Sequence, residues 1–338
     1  MIVSLLRRLN LIIKSNSNYK TILIVIFTLV ISGSVLIYLI ENRVNPQFAG
    51  LSDGLWWSVV TITTVGYGDK YPVTGWGKLV AFVVMIGGIG SFGYLAGSII
   101  EDLIKRGRGE MAVNFKNHIV ICDYNHKVED IYREIQKEIK NSDIVLVANR
   151  EENPAKDLKN IFFVKGDTTK AEVLEKANVS QAATVIVLGD SELEDQLADA
   201  HSVLTTLAVR NLNSACKIIA EVLSTDNTEH FQRAGANEII CIGELAGQLI
   251  VRSSLYTGLS NMIGELVTNR FGNELYSEKI SQDLEGVEFG DAFIRLKKLG
   301  ATIMGVYSDN QLSTNPDMGL RLKKDDYLIY MAREPINK

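Results

Sequence analysis

The stretch with the most specific chemistry is Thr64-Val65-Gly66-Tyr67-Gly68, in which glycine alternates with larger residues. Backbone carbonyls that point to one side of such a stretch replace the water around a dehydrated cation. That arrangement needs unusual backbone torsions, which Gly66 and Gly68 adopt at little steric cost. The Thr64 hydroxyl adds one more oxygen at the start of the row. Because one chain supplies only one such row, closed oxygen rings around a cation need several chains around one pore.

The residues on either side of this pentapeptide predict the elements that position it. Asp53 is the expected N-cap of a short helix over Leu55–Thr63, about three turns long. Asp69 and Pro72 then close the loop. A bare Gly-Tyr-Gly in a soluble domain would indicate only a turn, so the surroundings of the loop decide its interpretation.

Two segments that flank the loop contain no Asp, Glu, Lys, Arg or His: Thr21–Ile40, of 20 residues, and Leu79–Ile100, of 22 residues. As helices each spans roughly 30 Å, the thickness of the hydrocarbon core of a bilayer. Irregular backbone at membrane depth is tolerated only where it lines a pore or is buried in protein. The sequence therefore predicts that the loop lines a pore between two transmembrane helices.

Basic residues set the expected orientation in the membrane. Arg7, Arg8, Lys14 and Lys20 precede the first span and Lys105 follows the second, whereas the loop between the spans carries few basic residues. The excess of Lys and Arg on cytoplasmic segments then places both termini in the cytoplasm. We expect a multi-pass protein of the plasma membrane, in contact with the lipid bilayer.

Composition excludes several other classes of function. A net charge of −5 gives no reason to expect nucleic-acid binding. The three cysteines form no Cys-x-x-Cys pair, and none of the four histidines belongs to a recognisable catalytic arrangement. We therefore expect neither a zinc site, nor a disulfide framework, nor an enzyme.

The pore loop resembles that of prokaryotic two-transmembrane potassium channels through the run Leu-Trp-Trp-Ser-Val and then Thr-Thr-Val-Gly-Tyr-Gly-Asp-Lys-Tyr-Pro-Val-Thr-Gly-Trp-Gly. The pentapeptide is itself the sequence that defines potassium-channel filters, so this is a match to a known motif and not a derivation. The resemblance implies potassium ions in the filter and an aromatic cuff of Trp56, Trp57 and Tyr67. It also implies that the Trp57 indole donates to Asp69. Val60 stands where one family member has a glutamate, so inactivation through a carboxyl contact with Asp69 is not expected.

The inner span carries five glycines within Gly87–Gly97, although glycine is about 1 kcal/mol worse than alanine in a helix. One interpretation is close helix packing in lipid, where small residues dominate interfaces. The other, by resemblance to calcium-gated channels, is a bend in which Gly88 is the hinge. Gly93 and Gly97 then face the pore. Glu101 is either part of an acidic ring at the inner mouth or a solvated helix end.

After the inner span the sequence alternates strands and helices, beginning with a strand at His118–Cys122 and a helix at Lys127–Lys140. This rhythm predicts a parallel sheet with helices on both faces, a Rossmann-type domain. The segments Gly166-Asp-Thr-Thr, Ile-Ile-Ala-Glu221 and Arg233-Ala-Gly-Ala-Asn resemble the RCK family (regulator of potassium conductance). Leu275–Met331 resembles the small C-terminal subdomain of that family.

The predicted fold is a tetrameric membrane α-helical two-transmembrane pore domain joined to a cytosolic α/β Rossmann-type RCK domain with a small α+β C-terminal subdomain. The predicted boundaries are 1–106 for the pore domain (outer helix about 20–41, pore helix and filter 53–69, inner helix about 76–104), 107–116 for a linker, 117–242 for the Rossmann part, 243–272 for connecting helices and 273–338 for the C-terminal subdomain.

Two ligands are candidates at the carboxyl ends of the parallel strands, where such folds bind ligands. The first turn after a strand, Asp123-Tyr-Asn-His-Lys-Val, has no glycine, and Arg150 follows the second strand where an acid normally grips a ribose. Both features count against NAD, and Arg150 favours a phosphate group. The candidate residues for an adenine nucleotide are Asp123, Arg150 and Asp167.

The second candidate ligand is calcium, which prefers several oxygen ligands. By resemblance to calcium-gated relatives, the candidate calcium ligands are Asp190, Glu192, Glu194 and Glu221. The alternative is that Ser191-x-x-Glu194 is a capping box, with acids in the first turn of a helix. Leu223 stands where the calcium-gated type has a second glutamate.

The predicted function is a homotetrameric potassium channel gated by a cytosolic ligand that binds a ring of RCK domains. The alternative is a constitutively open pore whose RCK domain serves assembly only. By resemblance, a closed ring uses eight RCK domains, and a tetramer supplies four. Met111 is well placed as an internal start that would give soluble RCK fragments, and the alternatives are an ordinary linker residue or a ring completed in another way.

Overall fold

The computed structural model describes residues 17–139, 141–268, 272–309 and 311–336. The chain divides into two compact units, Met1–Gly107 and Arg108–Lys338. Arg7, Arg8 and Lys14, which support the predicted orientation, lie outside the described residues. Each unit is considered by itself below.

The first unit is helical. Its elements are helix α1 (Ser17–Glu41), a 3₁₀ turn (Pro46–Phe48), helix α2 (Leu51–Ile62) and helix α3 (Gly75–Gly107). Lys20–Glu41 and Gly75–Gly107 are long and apolar enough to cross a membrane. A small core, formed where α2 packs between α1 and α3, holds Ile37, Phe48, Trp57, Ile62, Ala81 and Val84.

The pore helix α2 begins one turn earlier than predicted. Gly50 is its N-cap, and Asp53 lies in the first turn, where its Oδ2 accepts the Gly50 N–H at 2.8 Å. The prediction of Asp53 as N-cap was therefore wrong. Its carboxylate still satisfies a free N–H at the helix start, but from the third helical position, as in the acidic half of a capping box.

A buried carboxylate joins the two long helices at one end of the first unit. Glu41, the last residue of α1, is fully buried and accepts the N–H groups of Val73 and Thr74 at 3.0 and 2.9 Å. Asn45 Nδ2 donates to it at 3.0 Å. A Cβ at Gly77 would lie 2.1 Å from Glu41 Oε1, so only glycine leaves room for this carboxylate at the start of α3.

The second unit contains a parallel sheet of Rossmann type. Its strands are β1 (Ile119–Cys122), β2 (Ile144–Ala148), β3 (Ile161–Lys165), β4 (Thr184–Val187), β5 (Lys217–Val222) and β6 (Glu238–Cys241), in the spatial order β3-β2-β1-β4-β5-β6. The helices that follow these strands are α4 (Val128–Glu138), α5 (Ala171–Lys176), α6 (Asp195–Leu212), α7 (Thr228–Ala234) and α8 (Ile242–Leu255). Buried aliphatic side chains fill both faces of the sheet, as expected where helices cover both faces.

Part of the segment predicted as a linker packs on this sheet. Lys165 N donates to Gly109 O at 2.8 Å, and Val113 N donates to Lys176 O at 2.7 Å. The Val113 side chain is buried in the core of the second unit. Gly109 and Val113, which lie in the predicted linker 107–116, therefore pack on the second unit.

Helix α8 is followed along the chain by one further helix, α9 (Leu259–Leu266). The elements after α9 form a small antiparallel subdomain. Its elements are β7 (Glu274–Lys279), α10 (Phe289–Lys298), β8 (Thr302–Ser308), β9 (Gln311–Thr314) and β10 (Tyr327–Ala332), with the strands in the order β7-β10-β8-β9. Its core is separate from that of the parallel sheet. Two apolar helices, a parallel Rossmann-type sheet and an antiparallel subdomain confirm the predicted fold class.

Candidate functional site

The pentapeptide after α2 has alternating backbone handedness. Thr64, Gly66 and Gly68 have φ values of 61°, 57° and 75°, in the left-handed region. The N–H groups of Val65 and Gly66 both donate to Val60 O, at 3.1 and 3.3 Å. Because N–H and C=O point in opposite directions across a planar trans peptide, the Thr64 and Val65 carbonyls point away from α2. The Thr64 and Val65 carbonyls thus begin a row of oxygens on the side away from α2, and the alternating torsions continue to Gly68.

Trp56 supports the outer end of this row. Its Nε1 donates to Asp69 Oδ2 at 2.8 Å, and its ring stacks on Tyr67 with centroids 5.9 Å apart and planes 1° apart. The donor to Asp69 is therefore Trp56. The prediction that the Trp57 indole donates to Asp69 was wrong. Trp57 is buried edge-on against Phe48 instead, because successive residues of α2 point to different sides of the helix.

A second contact, which the sequence did not reveal, ties the loop after the filter to the start of α2. Lys70 Nζ lies 3.0 Å from Asp53 Oδ1 and donates to Gln47 O at 3.0 Å. The Tyr71 N–H donates to Gln47 Oε1 at 3.0 Å. These partners are distant in sequence. The sequence signal for the Lys70–Asp53 pair was an acid and a base at the two ends of the loop.

The glycines of α3 fall into two groups. A Cβ at Gly88 would lie 2.7 Å from Ile62 Cγ1, so this glycine permits close packing of α3 on the end of α2. A Cβ at Gly93 or Gly97 would meet no atom within 4 Å in the single chain. Helix α3 is continuous through all of them. Glu101, near its end, pairs with Lys105 at 2.6 Å, both side chains being exposed.

In the second unit, His201 lies between two carboxylates at the carboxyl edge of the parallel sheet. Its Nδ1 is 3.2 Å from Asp123 Oδ2, after β1, and its Nε2 is 3.2 Å from Asp167 Oδ1, after β3. Asp123 is buried with φ 68° and also accepts the Thr168 hydroxyl at 2.9 Å. Interaction with the Asp123 carboxylate, and then with that of Asp167, raises the pKa of His201 against the opposing effect of burial. Burial raises the pKa of Asp167, but hydrogen bonds from Thr169 and His201 outweigh it and lower the pKa.

Arg150, after β2, is bound by carboxylates of the loop after β4. Its guanidinium makes a bidentate pair with Asp190, one N–O distance being 3.2 Å, and its Nε is 3.1 Å from Glu192 Oε1. Both Arg150 and Asp190 have largely buried side chains. Burial raises the pKa of Asp190, but hydrogen bonds from Arg150 and from the Glu192 N–H lower it below its ordinary value.

The other predicted calcium ligands are engaged separately. Glu221, buried at the end of β5, pairs with Lys127 and accepts Asn125 Nδ2 at 3.1 Å. Glu194 is the exposed N-cap residue of α6, whereas the Ser191 hydroxyl donates to Tyr124 O at 3.2 Å.

The calcium interpretation of these acids does not fit the described part of the chain. Its His, Cys, Asp and Glu side chains form no group of three or more with the geometry of a metal site. The four predicted carboxylates therefore do not converge on one calcium position. Asp190 pairs with Arg150, whereas Glu221 pairs with Lys127. A capping box at Ser191 is wrong as well, since α6 begins only after Glu194.

Comparison with known proteins agrees with both units. Residues 24–105 match the family model described as Ion channel, and residues 119–242 match the TrkA-N domain. The calcium-gated potassium channel TvoK of Thermoplasma volcanium is 32% identical over 311 residues, which cover 90% of this chain and 88% of that protein. This chain belongs to the family of potassium channels that carry a TrkA-N (RCK) domain.

More distant relatives also match most of this chain. Potassium channel protein 1 of Methanocaldococcus jannaschii is 28% identical over 298 residues, 83% of this chain and 86% of that protein. The solved structure of the GsuK channel matches 94% of this chain at 20% identity with a TM-score of 0.51, which shows the fold alone. The present chain spans 58% of that longer channel. The predicted family is confirmed, and it is a family of ion channels.

Proposed function

We propose that four copies of this chain surround one potassium-selective pore, and that a cytosolic ligand of the RCK domain opens it. The observation that carries the proposal is the alternating left-handed backbone at Thr64, Gly66 and Gly68, which lies between two helices able to cross a membrane. Four such loops would supply closed oxygen rings in place of the hydration shell of potassium.

The filter would work through groups that the chain holds in advance. Val60 O accepts two filter N–H groups, so the matching carbonyls stay turned toward the ion path. Trp56 holds Asp69 at the outer end and supports Tyr67 by stacking. Preorganised oxygens need little rearrangement when an ion replaces its water shell with them.

Gating would act on α3. A ligand shifts the closed–open equilibrium only to the extent that it binds the open state more tightly. Gly93 and Gly97, with open surroundings, are the proposed bending positions, and Gly88 remains a hinge candidate whose packing on Ile62 opposes bending. The printed name of the relative TvoK, a calcium-gated potassium channel, supports ligand gating. A nucleotide phosphate at Arg150 is the other candidate.

Assembly into a ring of RCK domains is supported by α8 and α9. In the single chain these helices expose large apolar side chains at Leu245, Ile250, Val251, Leu255 and Met262. Exposed large apolar side chains gathered on two neighbouring helices are typical of interaction sites. We propose that the ring forms on the cytoplasmic side of the plasma membrane, with both termini on that side.

We further propose that the ring is octameric, completed by soluble fragments that start at Met111. Such a fragment would keep the buried Val113 and lose the Gly109 contact with Lys165. Changing Met111 to isoleucine should remove a copurifying band of about two thirds of the full mass of 37.4 kDa, whereas Met318→Ile should leave it. A wild-type preparation without that band would contradict the fragment.

Single-channel recording of the purified protein in planar bilayers tests ligand gating. Calcium and ADP are added separately to the side that the RCK domains face, and open probability should rise with at least one of them. Equal open probability under all conditions would favour the alternative, a constitutively open pore in which the RCK domain serves assembly. That alternative is favoured by one observation, namely that the acids at the sheet edge already have partners within the chain.

A further inference from the structure

Two consecutive residues after the filter are joined through their side chains to the beginning of α2. The Asp69 carboxylate accepts the Trp56 indole N–H at 2.8 Å. The Lys70 ammonium lies 3.0 Å from the Asp53 carboxylate and donates to Gln47 O at 3.0 Å. Asp53 and Trp56 lie three positions apart on α2, and residues at that spacing are neighbours on one side of a helix. The loop after the filter therefore contacts one side of α2 at two points.

The turn before α2 gives Lys70 a backbone partner with a fixed position. Phe48, in the same 3₁₀ turn as Gln47, is fully buried in the core of the first unit. The Gln47 N–H donates to Asn45 Oδ1 at 3.1 Å, and Asn45 Nδ2 donates to Tyr71 O at 2.9 Å. The segment that accepts the Lys70 hydrogen bond is thus itself fixed by burial and by hydrogen bonds.

The filter lies between two points of attachment. On its inner side, Val60 O accepts the N–H of Gly66 at 3.3 Å. On its outer side, Gly68 has a φ of 75° and is followed by the attached residues Asp69 and Lys70. Glycine adopts left-handed and right-handed backbone at similar cost, so its own sterics do not fix the torsions of Gly68. The attachment of the next two residues therefore fixes them, and with them the direction of the last filter carbonyls.

The Lys70–Asp53 pair is better placed to contribute than a fully exposed ion pair. The two side chains are 23% and 25% exposed, so water and salt ions screen the pair less. The other carboxylate oxygen of Asp53 accepts the Gly50 N–H at 2.8 Å, which orients the carboxylate. Less side-chain entropy is lost when a flexible lysine pairs with a carboxylate that is already oriented.

We propose that Lys70 and Asp53 are positioning residues for ion conduction, which keep the outer end of the filter in its conducting conformation when few ions occupy it. This inference rests on the proposed potassium-selective pore and names a determinant of its conducting state. A potassium ion that binds the conducting filter more tightly than a collapsed one stabilises the conducting form by mass action. The Lys70–Asp53 pair stabilises the same form without an ion. Removing the pair should therefore make conduction depend more strongly on potassium at the outer side.

Single-channel recording of the full-length channel in planar bilayers, at fixed concentrations of Ca²⁺ and ADP on the RCK side, tests this role. Lys70→Met removes the ammonium, and Asp53→Asn removes the carboxylate charge but keeps an oxygen for the Gly50 N–H. Each should lower the ratio of conducting to non-conducting time about three- to fivefold at low potassium on the outer side, and high potassium there should restore it. The double variant should fall no further than either single variant, because both changes remove the same interaction. Lys70→Arg keeps the charge and the donors, so its ratio should stay within about twofold of wild type.

Lys279→Met is the matched control, because it removes a lysine from an exposed Lys–Asp pair of the second unit and should leave the ratio unchanged. Unchanged ratios in Lys70→Met and Asp53→Asn, effects that add in the double variant, or a Lys70→Arg channel as impaired as Lys70→Met would overturn the proposal. Opposite changes of inward current amplitude in Lys70→Met and Asp53→Asn at an unchanged ratio would overturn it too, since the pair would then act through the charge at the pore mouth alone. If the ratios are unchanged and the channel still prefers potassium to sodium, the positioning role falls and the proposed pore stands. If wild type passes both ions alike, both fall.

Discussion

Replacing Trp56 with phenylalanine isolates one support of the filter. Phenylalanine keeps a ring that stacks on Tyr67 but removes the Nε1–H that donates to Asp69 at 2.8 Å. A hydrogen bond to a charged group contributes about 1.5–3 kcal/mol. Both partners are solvent-exposed in the single chain, so the lower end applies. Because about 1.4 kcal/mol corresponds to a factor of ten, the ratio of conducting to non-conducting time should fall about tenfold.

Single-channel recording in symmetric potassium measures that ratio at constant ligand. Trp57→Phe is the matched control, since Trp57 is buried edge-on against Phe48 with centroids 6.2 Å apart. It should change the ratio less than about twofold, although it lowers stability by removing packed atoms. The reasoning is refuted if Trp57→Phe closes the filter and Trp56→Phe does not, because Asp69 would then depend on the other tryptophan.

Four further substitutions test three other parts of the structure. Glu41→Gln replaces a buried carboxylate that accepts several hydrogen bonds, so the thermal midpoint of the detergent-purified protein should fall by an amount that reflects about 1–3 kcal/mol; an unchanged midpoint would contradict the network. Gly93→Ala should alter open probability without altering selectivity, whereas Gly88→Ala should disturb conduction as well, because its Cβ would meet Ile62; identical effects would argue against this distinction. Contacts with carboxylates raise the pKa of His201, so its protonated ring stabilises the folded domain fully below the ordinary value of 6.5 and loses this effect as pH rises through the raised pKa. His201→Gln should therefore flatten the dependence of the thermal midpoint on pH above the ordinary value of 6.5, and an unaltered dependence would count against the assignment.

The predictable parts of the structure are those that depend on residues close together in the sequence. The filter is a contiguous pentapeptide, and the two spans are runs without charge. The strand and helix rhythm from His118 onward is likewise local, and the parallel sheet follows from it. The family and the fold class were therefore accessible from the sequence.

The parts that escaped prediction depend on contacts between distant residues. To predict which tryptophan donates to Asp69, Trp56 or Trp57, one must know on which side of α2 the chain runs after the filter. Glu41 lies 33 residues before the Thr74 N–H that it accepts, and nothing local marks the pair. The acids after β4 looked like a calcium cluster because the sequence does not show that Arg150, 40 residues earlier, lies within reach of Asp190.

The central claim, a potassium-selective pore, is tested most directly by the reversal potential of the purified channel in planar bilayers with potassium on one side and sodium on the other. The oxygen row at residues 64–68 predicts a reversal potential far from zero, toward the potassium equilibrium potential. A reversal potential at zero with equal concentrations of the two ions, in a channel that conducts, would show that both ions permeate alike and would contradict the account.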